Sequence, residues 1–289
     1  MHPVLFHVFG HPIHAYPALL AVAFVAGTLL AVREADRRNI WFPPEIGLWI
    51  FVGALLGAKI FWIIQYDSIW HVWRAIRVWE AGLVFYGGLI GGVVAALLYT
   101  TVHRIHRRQA ADLMVPYLAL GQAITRVGCF LNGCCYGDTT SAPWAVQYPP
   151  GSHAFQHQLE AGLLQADAPC SLGVHPAPLY MVGGLLLIAG MLKYTLERRR
   201  FHGQVAILYA ILYGALRFIV EGVRGDSARS VFGMTVSQTI SLSLVALGLA
   251  LAAIAWRKGM YRRPRLAPEP TPEDAGSASE TTEADADAD

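Results

Sequence analysis

Seven apolar runs constrain this chain more than any other feature. They fall near 16–32, 46–64, 83–101, 113–131, 179–196, 205–220 and 236–256. Each approaches the ~20 residues a helix needs to cross the hydrocarbon of a bilayer. In lipid every backbone N–H and C=O has to be paired inside the protein, and a run of this length does that as a helix. Of 289 residues, 55% are hydrophobic and only 15% are charged, whereas soluble proteins carry about a quarter charged residues. The expected fold is an all-α integral membrane protein with about seven transmembrane helices.

Orientation follows from Lys and Arg in the short loops. One set of loops holds Arg33, Arg37 and Arg38, then Arg104, Arg107 and Arg108, then Lys193, Arg198, Arg199 and Arg200, with Arg257, Lys258, Arg262, Arg263 and Arg265 at the end. The other side has Arg74 and Arg77, no Lys or Arg from Val127 to Leu192, then Arg224 and Arg229. This predicts the N-terminus outside and the C-terminus in the cytoplasm. No basic segment precedes the first run, so it reads as a retained span and not as a cleaved signal peptide. The net charge of +2 is distributed for topology, with no basic stripe for nucleic acid. Residues 1–260 read as one polytopic membrane domain. Residues 261–289, rich in Pro, Ala, Glu, Asp, Ser and Thr, read as a disordered acidic tail.

Polar residues inside the spans are costly and point to function. The fourth span ends in Arg126-Val127-Gly128-Cys129-Phe130-Leu131-Asn132-Gly133-Cys134-Cys135-Tyr136-Gly137. On the sixth span Tyr213, Arg217, Glu221 and Arg224 follow at steps of four, four and three, which share one helical face. With this topology Arg126, Arg217 and Glu221 lie at matching depth in the outer leaflet, and Tyr16, Tyr86 and Tyr180 lie at the outer ends of their spans. Arg217 and Glu221 are expected to pair, which lowers the cost of burial. An ion pair that only fixes helix packing explains those two residues alone. Two arginines for one glutamate leave cationic capacity, and Arg grips phosphate with paired hydrogen bonds. One outer-leaflet cavity holding Arg126, Arg217 and Glu221 is therefore expected.

The third span opens with Phe85-Tyr86-Gly87-Gly88-Leu89-Ile90-Gly91-Gly92. Its glycines, four apart, are expected mainly to allow close helix packing, and Tyr16 and Tyr86 also suit the interfacial aromatic belt. Cys129, Cys134, Cys135 and Cys170 all fall on the outer side, where disulfides form. Their spacing matches no standard zinc pattern. A structural disulfide from Cys170 to Cys134 or Cys135 is expected ahead of metal or redox chemistry. His153, His157 and His175 read as loop histidines. No cofactor and no metal is expected.

Taken together, these motifs resemble the bacterial prolipoprotein diacylglyceryl transferase family over nearly the whole chain to about Trp256. The elements that carry the resemblance are His2-Pro3-Val4-Leu5-Phe6 with Ile13 and Tyr16, Tyr86-Gly87-Gly88-Leu89-Ile90-Gly91, the Arg126 to Gly137 segment, His175-Pro176-Ala177-Pro178-Leu179-Tyr180, Tyr213-Gly214-Ala215-Leu216-Arg217-Phe218 with Glu221 and Arg224, and Phe232-Gly233-Met234-Thr235-Val236-Ser237-Gln238.

The resemblance implies an inner-membrane enzyme. It would move the diacylglyceryl group of phosphatidylglycerol onto the lipobox cysteine of lipoprotein precursor signal peptides, releasing glycerol phosphate. It implies Tyr86, Arg126, Arg217 and Glu221 as catalytic residues. Tyr16, Arg126, Asn132, Gly137, Tyr213 and Arg224 would be substrate-binding. The chain departs from the family where Tyr86 replaces a histidine, Cys129 an asparagine, Cys134 an acidic residue and Met181 a glutamate. The phosphate-gripping half is thus intact and the proton-handling half altered. A non-catalytic paralogue that binds lipid or lipoprotein precursor, and a membrane thiol or metal protein, are the alternatives.

Overall fold

The computed structural model describes residues 4–8, 11–66, 84–165, 167–224, 229–231, 233–262 and 264. Helices lie at α1 (Ala15–Asp36), α2 (Glu45–Tyr66), α3 (Phe85–Val102), α4 (Arg107–Asn132), α5 (His153–Glu160), α6 (Ala177–Glu197), α7 (Gln204–Glu221) and α8 (Val236–Arg257). Six of these are long and apolar enough to cross a membrane, and α3 supplies a shorter apolar stretch over Gly87–Val102. Each expected span therefore has its helix. The acidic tail after residue 264 lies outside the described residues.

Two features were not expected. Short antiparallel hairpins pair β1 (Val4–Val8) with β2 (His11–His14) and β3 (Arg229–Val231) with β4 (Met234–Thr235). The fourth helix also begins at Arg107, well before 113. Its first turns carry Arg107, Arg108, Gln109 and Asp112, so a search for apolar runs starts too late.

The chain forms two compact units. One holds residues up to Gly27 and from Ala111 to Leu266, the other Thr28 to Ala110. In the second unit, α2 and α3 approach closely through glycines. A Cβ on Gly91 would stand 2.9 Å from the Gly57 Cα, and one on Gly87 would collide with the Gly57 carbonyl. This is the small-residue packing that lipid favours, and it bears out the packing role expected for these glycines. The unit also buries Glu34, which accepts from Arg38 Nε at 2.7 Å, and Lys59, whose amine lies 4.9 Å from the Trp62 ring.

In the first unit, α4 lies against the start of α1. A Cβ on Gly121 would be 3.2 Å from the Ala23 carbonyl, and one on Gly128 would be 3.2 Å from the Tyr16 Cα. The seventh helix packs on α6 and α8. Its N-terminus is held by a side chain from α4. Asp112, wholly buried, accepts from the backbone N–H groups of Gly203, Val205 and Ala206 at 2.8, 3.0 and 3.0 Å. Arg199 completes the arrangement at 3.5 Å. A carboxylate there satisfies the donors that every helix start leaves unpaired and complements the helix dipole.

The loop between α4 and α6 has its own small core of Tyr136, Tyr148, Ala154 and Val174. Val174 bridges to Thr139 and Val146, and Ser152 caps α5 by accepting from the Phe155 N–H.

Candidate active site

Most of the sequence-predicted site residues come together at one end of the first unit. There α4 and α7 finish and α8 begins. The end of α4 is set by its last residues. Gly133, at φ 69°, takes a left-handed conformation. The Gly133 N–H reaches the Phe130 carbonyl at 3.2 Å and the Cys134 N–H reaches the Cys129 carbonyl at 3.1 Å. This pair of bonds is the Schellman helix stop, for which glycine is the natural residue. Asn132 is the last helical residue. The turn, with Cys135 also left-handed at φ 58°, folds the chain back over the final turn of α4.

The carboxylate of Glu221, at the last position of α7, is the hub. Its side chain is only 2% exposed. Arg217 Nη2 lies 2.8 Å from Glu221 Oε2, and Arg224 Nε lies 3.7 Å from the same oxygen. Thr235 Oγ1 donates to Oε1 at 3.1 Å. Arg217 Nη2 also donates to Ser237 Oγ at 3.1 Å. Thr235 is in turn the N-cap of α8, in a reciprocal capping box with Gln238. The start of α8 is thereby tied to the end of α7.

Arg126, largely buried on α4, lies within electrostatic reach of Arg224, Arg217 and Tyr213. Its Nη1 donates to Cys129 Sγ at 3.9 Å. Two guanidinium groups, Arg217 and Arg224, therefore meet the buried carboxylate of Glu221, and Arg126 lies within electrostatic reach of both. Tyr213 lies one turn before Arg217 and stacks on Tyr209 with centroids 5.3 Å apart. Tyr16, in the first turn of α1 and 37% exposed, lies against Gly128 and within electrostatic reach of Arg126.

Gly137 acts through its backbone. Its N–H donates to the His175 carbonyl at 2.9 Å, and it bridges Arg224 in an antiparallel pair. A Cβ there would come within 2.6 Å of both the His175 Cβ and the Val223 carbonyl. Gly137 therefore lets the loop press against the segment that carries Arg224. His175 Nδ1 is 3.0 Å from the Tyr180 hydroxyl, which accepts from Trp144 Nε1 at 2.8 Å. Tyr86 is the second residue of α3, and its side chain lies outside the described residues.

The cysteines require a correction. All four are free, so the expected bridge from Cys170 is not formed. The physical reason is the Schellman turn, which brings Cys134 and Cys135 back onto Cys129. The Sγ atoms of Cys129, Cys134 and Cys135 all lie within 4.8 Å of one another. Cys134 Sγ also donates to the Cys129 carbonyl at 3.6 Å. The Cys135 thiol is held below the usual thiol range, first by hydrogen bonding to Cys129, then to Cys134, with Arg126 and Arg224 adding positive charge against the effect of burial. Burial pushes the Tyr148 hydroxyl up.

Thr235 and Ser237, which seat Glu221 and Arg217, were not read as site residues from the sequence. Their local signals were the cap pattern of Thr235 with Gln238 three residues on and their place in the segment 232–238 that carries part of the resemblance. Nothing in a linear pattern connects a cap on α8 with a carboxylate on α7.

Comparison with known proteins identifies the family. A model of the prolipoprotein diacylglyceryl transferase family matches residues 3–254. A phosphatidylglycerol–prolipoprotein diacylglyceryl transferase of Clostridium tetani is 32% identical over 255 residues, covering 86% of this chain and 96% of its own length. The protein of that name from Finegoldia magna is 32% identical over 257 residues, covering 87% and 94%. The one from a Nostoc species is 31% identical over 296 residues, covering 97% and 95%. The chain belongs to the prolipoprotein diacylglyceryl transferase family and is a multi-pass protein of the bacterial inner membrane.

Proposed function

We propose that this chain transfers the diacylglyceryl group from phosphatidylglycerol to the lipobox cysteine of lipoprotein precursors, with Arg126, Arg217 and Arg224 as the phosphate-binding cations. The observation that carries this is the pairing of Arg217 and Arg224 with the single carboxylate of Glu221, with the third guanidinium, Arg126, within electrostatic reach of both. One carboxylate leaves net positive charge for an anionic headgroup. The reaction breaks a C–O bond to phosphate, so negative charge grows on the departing glycerol phosphate. Preorganised cations in a dry site stabilise that charge more than water does.

Glu221 holds Arg217 and Arg224 in place, and Thr235 holds Glu221. Tyr213, Tyr16, Asn132 and Gly137 bind or shape the substrates around this group. Tyr86 stands where the family carries a histidine and is the candidate to take the thiol proton. The orientation required is the one the loop charges give, with the arginines at the outer leaflet. There phosphatidylglycerol reaches them from the side and the precursor from within the membrane. Residues 1–260 form the transferase and 261–289 a cytoplasmic tail.

Two measurements test the reading. The chain should rescue growth of a strain depleted of its own diacylglyceryl transferase. The purified protein in detergent should move a labelled diacylglyceryl group from phosphatidylglycerol to a lipobox peptide. Failure of both, with lipid still bound, would make the chain a binding paralogue.

A further inference from the structure

The three sulfurs at the end of α4 form a group that the arginine site does not use. Cys129, Cys134 and Cys135 present thiols within 4.8 Å of one another. A tetrahedral zinc site has Zn–S bonds of ~2.3 Å, which sets its sulfurs about 3.8 Å apart. The thiols need to close by only about 1 Å. They are held where they are by covalent neighbours and by the turn. Cys129 is buried on the last turn of the helix, and the left-handed residues Gly133 and Cys135 place the other two over it. Cys134 and Cys135 are half-buried, so the group is closed by Cys129 on one side and reachable on the other. Among the described residues no fourth His, Cys, Asp or Glu joins it. Three protein ligands with an open fourth position is the pattern of a catalytic zinc site, whereas structural zinc has four.

Resting on the transferase reading above, we propose that Cys129, Cys134 and Cys135 bind a zinc ion whose fourth position receives the thiol of the substrate cysteine. The reaction alkylates that thiol, and a thiol bound to zinc loses its proton outright. Coordination replaces the S–H bond of the substrate with an S–Zn bond, and the proton passes to the base of the transferase reading, Tyr86. A sulfur lone pair then attacks the glyceryl carbon that bears the phosphate. The C–O bond breaks, its electron pair stays on the phosphate oxygen, and glycerol phosphate leaves. The thioether formed is neutral and a weak ligand, so the product departs and the zinc stays. Nothing is oxidised or reduced.

Charge and position suit this. Zinc with three thiolates carries one negative charge, and Arg126 Nη1 already lies 3.9 Å from Cys129 Sγ. The cation proposed to grip phosphate is therefore a direct neighbour of a zinc ligand, which sets nucleophile and leaving group side by side.

The test uses the full chain in detergent. Metal content is measured after exposure to zinc and removal of the excess. One zinc per chain is expected, retained in Cys170→Ser and lost or weakened by roughly tenfold or more in Cys129→Ser and Cys135→Ser. With cobalt in place of zinc, a lipobox peptide bearing cysteine should change the visible spectrum towards four sulfur ligands, and the same peptide with serine should not. Stripping the metal should abolish transfer, and zinc should restore it. Full transfer by the metal-free protein would overturn the zinc proposal and leave the transferase reading intact. A cobalt spectrum blind to the cysteine peptide would also overturn it. A spectrum that responds to the peptide in a protein that never transfers would support the zinc site and refute the transferase reading.

Discussion

Arg217 makes two contacts through one nitrogen: Nη2 meets Glu221 and Ser237 at 2.8 and 3.1 Å. A guanidinium has five donors in a fixed plane, so others remain for phosphate. Lysine has a point charge and no such plane. Arg217→Lys is therefore expected to cut kcat/KM for transfer by about tenfold or more, a loss of ~1.4 kcal/mol in transition-state stabilisation. Lipid-binding assays should show a smaller change. Removing the hub is more severe. Glu221→Gln leaves Arg217 and Arg224 without their shared charge, and breaking a buried ion pair costs about 3–5 kcal/mol. A thermal melt in detergent should show the fall, and an unchanged Tm would deny Glu221 its role as the hub. Tyr86 is tested by its hydroxyl. If it takes the proton, Tyr86→Phe should lower transfer by roughly 10²-fold or more. Tyr86→His should retain or raise transfer and move the activity profile towards neutral pH. Equal rates in wild type and Tyr86→Phe would remove it from the chemistry.

Thr235 joins two helices, since its hydroxyl both caps α8 and donates to Glu221. Thr235→Val keeps the shape and loses both bonds. The lost cap alone costs about 1 kcal/mol. Transfer should fall together with stability, and a Ser at this position should recover most of both. Gly133 ends α4 at positive φ, and a Cβ there would stand 3.1 Å from both Ser152 Cβ and the Tyr148 ring. The strain that Gly133→Ala adds is expected to shift the thiol cluster, read as changed alkylation of Cys134 and Cys135. The spans were legible because a bilayer demands long apolar helices and little else. The arginines and Glu221 were legible because charge inside such helices is rare. The three-thiol cluster was not. Cys129, Cys134 and Cys135 look like a tight helix end in sequence, and only the Schellman turn reveals that their sulfurs meet. Thr235 and Ser237 were missed because their partners lie on another helix. Lys59 was missed because it hides in a run whose average is apolar, and Glu34 because it follows the run 16–32 and looks like one more loop charge.

At the scale of the whole chain, the site residues of α1, α4, α7 and α8 cluster at one end of the first unit. Asp112 lies at the other end of the same unit. It holds the first turn of α7 through three backbone N–H groups. From Val205 to Arg217 is twelve helical residues, or about 18 Å of rise. A helix of this length transmits a shift at its foot to its head almost undiminished. Asp112 therefore works as a depth stop: it fixes how far Arg217 and Glu221 project towards the opposite face. One consequence is that disturbing the Asp112 end of the unit should look, in kinetics, like disturbing the phosphate site. Asp112→Asn keeps the shape but gives up the charge, and it is expected to lower Tm and transfer together although it lies at the opposite end of α7 from Glu221. Genetic variants at this address would be misfiled as remote, because in this architecture the membrane separates cause from effect while the helix joins them.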